Sequence, residues 1–243
     1  GGWINPPSLC IANLARHPTL IQASFGHRVH RLQRVAGLWR ALSASGELLG
    51  EAPVVVLANA ADARRLALTD WLPLSSARGQ VSHLPAAKLA PLARVICGNG
   101  YLTPAVDGWI SAGASFFPED DSQHLRLGEH LENLDRANKM LPGFAEQLSA
   151  SELEGRVSHR SVSPDRLPML GELPSVALGN GFNLATVPRQ QGLYLFSALG
   201  ARGLAWSSLL AEELASRIAG EPLPLRRSLA DRLDPARFLF LRR

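Results

Sequence analysis

Cysteine is scarce: Cys10 and Cys97 are the only two in 243 residues. A disulfide framework of the kind that staples small secreted domains is therefore excluded. Outside a secretory context the pair is expected to be free, buried thiols. No run of about 18 apolar residues occurs, nor a basic start followed by an apolar stretch, so neither a membrane span nor a secretory signal is expected. The expected compartment is the cytoplasm. Several signatures of chemistry are missing as well. There is no GxSxG elbow for a serine nucleophile, no Walker A loop and no complete GxGxxG, since GNGYLT and GNGFNL both lack the third glycine. His27 and His30 lie three apart and His124 and His130 share a predicted helix, but no HExxH or CxxC accompanies them, so no metal site is expected.

Lysine is as scarce, occurring only at Lys88 and Lys139. The net charge of +4 and the pI of about 9.7 thus rest on arginine, whose planar fork suits carboxylates and phosphates. Such a surface is compatible with tRNA or another nucleic acid, and equally with simple solubility. The 46% hydrophobic content of this 26.2 kDa chain supports one large domain or two modest ones. The opening GGWINPPSLC lacks Met and a polar lead-in and reads as an entry in mid-domain, the expectation for a fragment.

Along the chain, Pro7 suits the first turn of a short helix containing Leu9, Ala12 and Leu14. HRVHRLQRV (27–35) and LWRAL (38–42) alternate polar with apolar around Ala36-Gly37, which predicts a half-exposed hairpin. VVVLA (54–58) reads as a strand covered on both faces, as in a parallel sheet. From Ser75 to about Gly113, short strands and turns predict antiparallel sheet, with Asn99-Gly100, like Asn180-Gly181 later, as hairpin signals. A helix is predicted over 122–141, with Leu127, Leu131, Leu134 and Leu141 on its apolar stripe and Glu132/Arg136 and Asp135/Lys139 as i,i+4 pairs opposite. An extended run, VSHRSV (157–162), is closed by a proline turn, and LYLFSAL (193–199) feeds a final helix stopped by Gly220 and Pro222.

Two places could carry chemistry. The strand, glycine turn and helix start around Gly200 and Gly203 would suit an anion or the electron-rich edge of a ring, because a helix N-terminus presents unpaired N–H groups and a partial positive charge. A plain strand-to-helix connection is the alternative. Arg156 and Arg160, four apart on an extended run, share one face and could converge on a carboxylate or phosphate; a solvated strand face is the other reading.

These pieces, in this order, resemble a known family. SHRSVSPDRLPMLG is similar to the Arg, Ser/Thr-Pro-Asp, Pro-x-x-Gly signature of the D-amino-acid oxidase superfamily of FAD enzymes, which includes glycine and sarcosine oxidases. SALGARGLAWSSLLAEELA is similar to that family's C-terminal flavin-contacting turn and helix. GGWINPPSLC, RGQVS, GYLTP, LGARGL and the tail AGEPLPL with LDPARFL resemble a tRNA-modifying branch of it, and the likeness spans essentially the whole chain.

The resemblance implies an α/β (α+β) fold in which a partial Rossmann-like FAD-binding domain is interleaved with an antiparallel-sheet substrate domain. Residues 1–74 would supply the later part of the FAD domain, 75–165 the substrate domain with one helix, and 166–243 the return to the FAD domain. The opening GxGxxG unit of the family would precede Gly1, as would a methyltransferase half that uses S-adenosylmethionine. Asn59-Ala60 departs from a glycine common in that family. The implied reaction is FAD-dependent oxidation of the carboxymethylaminomethyl group on the wobble uridine (position 34) of tRNA. Arg160 falls where relatives bind the substrate carboxylate, with Arg156 as companion and Tyr101 near the substrate side. Gly200, Ala201, Arg202, Gly203 and Leu204 fall on the flavin turn, where backbone N–H groups would stabilise negative charge on the reduced ring. Two other functions stand beside this one: an FAD oxidase of a small amino acid or secondary amine such as glycine or sarcosine, and an inactive apo remnant without the dinucleotide-binding motif.

Overall fold

The structure is a computed structural model that describes residues 2–175 and 182–240. The chain enters through helix α1 (Pro6–Ala15), whose N–H groups are capped by the Asn5 side chain accepting from the Ser8 amide at 3.0 Å. A meander follows: β1 (Arg31–Val35), β2 (Leu38–Leu42) and β3 (Leu48–Ala52), then β4 (Val55–Leu57) and β5 (Ser75–Pro85). The short strands β6 (Ile96–Cys97) and β7 (Tyr101–Leu102) precede β8 (Trp109–Gly113) and β9 (Phe117–Pro118). Helix α2 (Leu127–Met140) leads to β10 (Glu154–Val162), β11 (Met169–Pro174) and β12 (Arg189–Ser197). Helix α3 (Gly203–Ala219) and the short α4 (Arg227–Asp231) and α5 (Arg237–Phe240) complete the order.

The chain divides into two compact units, Gly1–Phe25 with Ala77–His159, and Gly26–Ser76 with Arg160–Arg243. The second unit is layered. β12 lies between β11, antiparallel, and β4, parallel. Its side chains alternate: Leu193 and Leu195 join Leu32 and Trp39 of the meander in one core, while Tyr194 and Phe196 face Leu210 and Leu214 of α3 in another. Meander, sheet and helix are thus three layers, each burying an apolar face against the next. The turn Ala36-Gly37 has φ of +50° and +86°, the primed geometry that the twist of a two-residue hairpin selects. Helix α3 ends on Gly220 in the left-handed region, φ +72°.

The strand covered on both faces is β12; β4, expected in that role, is an edge whose Val56 is exposed. An apolar run alone does not say which of two parallel neighbours sits inside. The hairpin is shorter at its start than expected, beginning at Arg31, and β10 and β12 start earlier, at Glu154 and Arg189. Asn99-Gly100 does join a hairpin pair, β6 and β7. Asn180-Gly181 lies outside the described residues.

The first unit carries a sheet ordered β10, β5, β8, β7, β6, with β9 beside β5. Helix α2 crosses one face, but not on the expected stripe. Leu127 and Leu131 are exposed, and the buried positions are Glu129, His130, Asn133, Leu134 and Ala137. The reason lies beneath: β5 presents Arg78, Gln80 and Ser82, all fully buried, so the helix must answer with polar groups. Arg78 donates to Glu129 and to the carbonyls of Ser122 and His124, and Ser115 donates to the other Glu129 oxygen. Asn133 donates to the Gln80 carbonyl at 3.1 Å and to Ser82 Oγ at 3.0 Å, and the His130 Nδ1 lies 2.8 Å from the same Ser82 hydroxyl. The surface pairs Glu132/Arg136 and Asp135/Lys139 form as the spacing requires, at 3.1 and 2.6 Å. Leu134, Ala137 and Leu141 join Leu84, Leu102 and Ile110 in the apolar end of this interior.

Cys10 and Cys97 are free, but exposed rather than buried. Cys10 sits on α1, which buries no residue, and Cys97 on a two-residue strand. No helix among the described residues is long and apolar enough to cross a membrane.

Candidate cofactor site

β12 and β4 run in the same direction, Leu195 opposite Leu57, and so end at the same margin of their sheet. After β4 the chain passes Asn59 into a short 3-10 helix, Ala60–Arg65; after β12 it passes Ala198 into another, Gly200–Arg202, and then α3. Loops leaving neighbouring parallel strands open a crevice at their carboxyl ends, the usual ligand position in α/β sheets.

A cavity of about 410 Å³ opens there. Leu32, Val55 and Leu57 form an apolar wall, and Arg28, Asn59 and Asp62 supply polar groups. That is the composition of a small-ligand pocket, and its volume lies within the usual range. Ala60 has φ +55°, a left-handed conformation that costs a residue with a Cβ about 1–2 kcal/mol and that glycine adopts freely. The chain therefore keeps the backbone shape of a glycine turn at the position where its sequence departs from one. No local motif marks this cavity, because its walls come from three strands.

The second turn is built on Ala198 and Gly200, with φ of +59° and +57°. Gly203 has ordinary helical φ, and a Cβ there would meet only the Leu199 side chain, at 3.8 and 3.9 Å. Nothing in the protein itself requires glycine at 203. Helix α3 also starts with no side-chain cap and no acid in its first turn. Its N–H groups and partial positive charge consequently lack a side-chain counterpart at the exposed residues Ala201, Arg202 and Leu204. An uncrowded glycine and a positive helix end with no acid beside it fit a group with an electron-rich edge, as FAD has.

Residues 160–162 run beside this turn. Ser161 Oγ lies 3.2 Å from Ser197 Oγ, and a Cβ on Gly200 would lie 3.8 Å from Val162 Cγ1. Arg160, half-buried, precedes them. The turn after β10 is fixed from the other side: Ser163 Oγ donates to Asp165 at 2.9 Å and to the Leu167 carbonyl, and Arg237 grips Asp165 with two bonds of 2.8 and 3.0 Å. Burial opposes ionisation of Asp165, but the bonds from Arg237, the Leu167 amide and Ser163 together hold its carboxyl below the ordinary range. The Ser-Pro-Asp motif is thereby a brace that anchors the approach of β10 to the turn.

Arg156 and Tyr101 belong to the first unit. A Cβ on Gly155 would point at His130 and Leu125, so Arg156, its neighbour, faces the opposite side of the sheet from α2. Tyr101 is on that side too: it lies opposite Gly113, which lies opposite Val81, and its hydroxyl would be 3.2 Å from a Cβ on Gly113. Three strand spacings, about 14 Å, separate the backbones of β10 and β7. Arg156 is exposed. Burial lowers the pKa of His83, and the Arg156 charge lowers it further. Among the described residues no group of three or more His, Cys, Asp or Glu is placed to hold a metal ion.

Comparison with known proteins identifies the lineage. The family described as DAO, FAD dependent oxidoreductase, matches residues 1–217. The chain is 50% identical over 237 residues to the tRNA 5-methylaminomethyl-2-thiouridine biosynthesis bifunctional protein MnmC of Aromatoleum aromaticum, covering 97% of this chain and 37% of that protein. It is 49% identical over 239 residues to the protein of the same name from Azoarcus sp., covering 98% and 38%. It thus spans little more than a third of the length of these relatives. Glycine oxidase from Geobacillus kaustophilus shares the fold, with a TM-score of 0.65 at 19% identity over 85% of this chain and 51% of that one. The chain belongs to the DAO family of FAD-dependent oxidoreductases.

Proposed function

We propose that this chain is the oxidative part of a tRNA-modifying enzyme, acting on the CH–NH bond of a carboxymethylaminomethyl group on the wobble uridine (position 34). The observation that carries the reading is the run of residues 160–162 beside the 197–204 turn at the carboxyl ends of β4 and β12. The tRNA substrate is supported by the names of relatives up to 50% identical.

On this reading, the unit containing β4, β12 and α3 is the FAD-binding domain and the six-stranded sheet is the substrate domain. The cavity at the end of β4 would hold part of FAD, and Gly200, Ala201, Arg202, Gly203 and Leu204 would lie against its ring system. Bound FAD would supply a two-electron acceptor for oxidation of the amine to an imine. Arg160 would hold the carboxylate through its guanidinium fork and so fix which methylene is presented for oxidation. The N–H groups at the start of α3 would stabilise negative charge that develops beside them. Water adding to the imine carbon would break the C–N bond, releasing glyoxylate and leaving an aminomethyl group on the base. Methylation of that product would belong to the S-adenosylmethionine-dependent half that the sequence resemblance implies. Arg156 and Tyr101 would belong to the substrate side of the reaction.

The cofactor assignment is tested by Gly203→Val, which places a branched side chain in the space over the turn. Titration of the purified protein with FAD, followed by flavin fluorescence, is expected to give at least tenfold weaker binding for the variant with an unchanged Tm. Equal affinity in both proteins would remove the turn from the site. Turnover of free glycine or sarcosine in preference to modified tRNA would replace the tRNA reading by a small-amine oxidase.

A further inference from the structure

The segment HRVHRLQR, residues 27–34, holds three arginines and two histidines in eight residues with no acid. His27, Arg28 and His30 line a shallow groove of about 360 Å³, together with Ser43, Ser45 and Glu47 of the turn between β2 and β3. The groove is built from backbone that is itself fixed. The His30 amide donates to the Leu42 carbonyl at 2.8 Å, the Glu47 amide donates to Ser43 Oγ at 3.1 Å, and the Ser43 amide donates to the Glu47 carbonyl at 2.9 Å. Arg31, at the start of β1, is exposed beside it.

Elsewhere in this unit many arginines are answered by carboxylates: Arg40 by Glu51, Arg65 by Asp62, Arg189 by Asp234, Arg237 by Asp165. Arg28 and Arg31 make no ion pair among the described residues, and Arg34 bonds only a neutral partner, the Gln191 side chain, at 3.0 Å. The charge of the segment is therefore not neutralised by a carboxylate among the described residues. Glu47 is the one acid in the groove wall, and it opposes the cations.

We propose that the 27–34 segment and the adjoining groove form a docking surface for the phosphate backbone of RNA. This rests on the tRNA reading above, since a polyanion substrate is what gives a surplus of unpaired arginine a use. The groove is open and shallow, so it receives a backbone laid across it rather than a base inserted into it. Arginine forks bind phosphate oxygens bidentately, and the Ser43 and Ser45 hydroxyls add neutral contacts that do not depend on charge. The contacts carry no base information; they would set the position of the tRNA body while the modified base is engaged elsewhere.

The test is tRNA binding by the purified protein, followed by fluorescence anisotropy across a salt series, for the unaltered protein, Arg31→Gln, Arg34→Gln and Glu47→Gln, with flavin content and Tm of each. Each arginine variant is expected to bind about three- to tenfold more weakly at 0.15 M salt and to lower the slope of log K against log salt by about one. Glu47→Gln is expected to bind more tightly. Arginine variants with the affinity and slope of the unaltered protein would overturn the docking surface and leave the tRNA reading standing. An unaltered protein with no affinity for tRNA would overturn both. Weaker binding by Glu47→Gln would also overturn the proposal, because removing an opposing charge would then have cost affinity.

Discussion

Beneath α2 the first unit buries an arginine, a glutamate, a glutamine, two serines, a histidine and an asparagine, whereas around β12 the second unit buries leucines on both faces of one strand. The two interiors reach order by different physics. In the second, area removed from water stabilises the layers without regard to direction. In the first, each polar group is held only by its partners, and no buried side-chain nitrogen or oxygen among the described residues lacks one. A polar interior of this kind is directional, and failure of one member leaves the rest buried and unmatched.

The comparison breaks most visibly at Glu129. Glu129→Ala removes the carboxylate that receives Arg78 and Ser115, leaving a fully buried guanidinium partly uncompensated, and is expected to cost about 3–5 kcal/mol in chemical denaturation. Leu195→Ala in the apolar interior is expected to cost about 2–5 kcal/mol, set by how far the cavity collapses. If the glutamate proves the more tolerant of the two, the polar interior is not the fragile one.

A smaller effect of opposite sign is expected at the end of β4. Ala60→Gly relieves the cost of a left-handed φ, about 1–2 kcal/mol, against about 0.5–1 kcal/mol for the greater freedom of glycine in the unfolded chain. The net expectation is stabilisation of about 0–1.5 kcal/mol, read as a raised Tm. The smallest effect is a pH dependence to which His130 of the polar interior contributes. Burial lowers the pKa of His130, so its neutral form belongs to the folded state. The unfolded chain binds the proton more readily, and the stability contributed is full above the unfolded pKa of about 6.5 and is lost as pH falls through the window below it. His130→Gln should flatten the fall in Tm between pH 7 and 5, while acid loss of the Asp165 brace falls below the ordinary carboxylate range and stays unchanged.

The same contrast explains what could be read from the sequence. The strand at LYLF, the Ala36-Gly37 turn and the stop at Gly220 follow from local rules, and the structure has them where those rules put them. The leucines at 127 and 131 obey the same periodicity yet face solvent, because the face opposite them is decided by Arg78 and Gln80, some fifty residues earlier in the chain. Helical spacing records that a stripe exists; it does not record what the partner sheet offers. The turn at Gly200 to Gly203 was legible as a glycine-opened helix start, with a ligand site and a plain connection both open; the positive φ at Gly200 accounts for one glycine, and nothing in the protein crowds the other. The cavity beyond β4 was not legible, since Leu32, Val55 and Asp62 meet only through the pairing of β4 with β12 and the meander laid over it.

The central claim is that Arg160 holds a substrate carboxylate beside an FAD-binding turn. Its most direct test is kcat/KM for oxidation of carboxymethylaminomethyl-modified tRNA by FAD-loaded protein, comparing Arg160→Ala with the unaltered enzyme. A fall of about a hundredfold or more is expected from leaving a desolvated carboxylate without its cation, with bound flavin unchanged. Unchanged kcat/KM in a variant that retains its flavin would contradict the assignment.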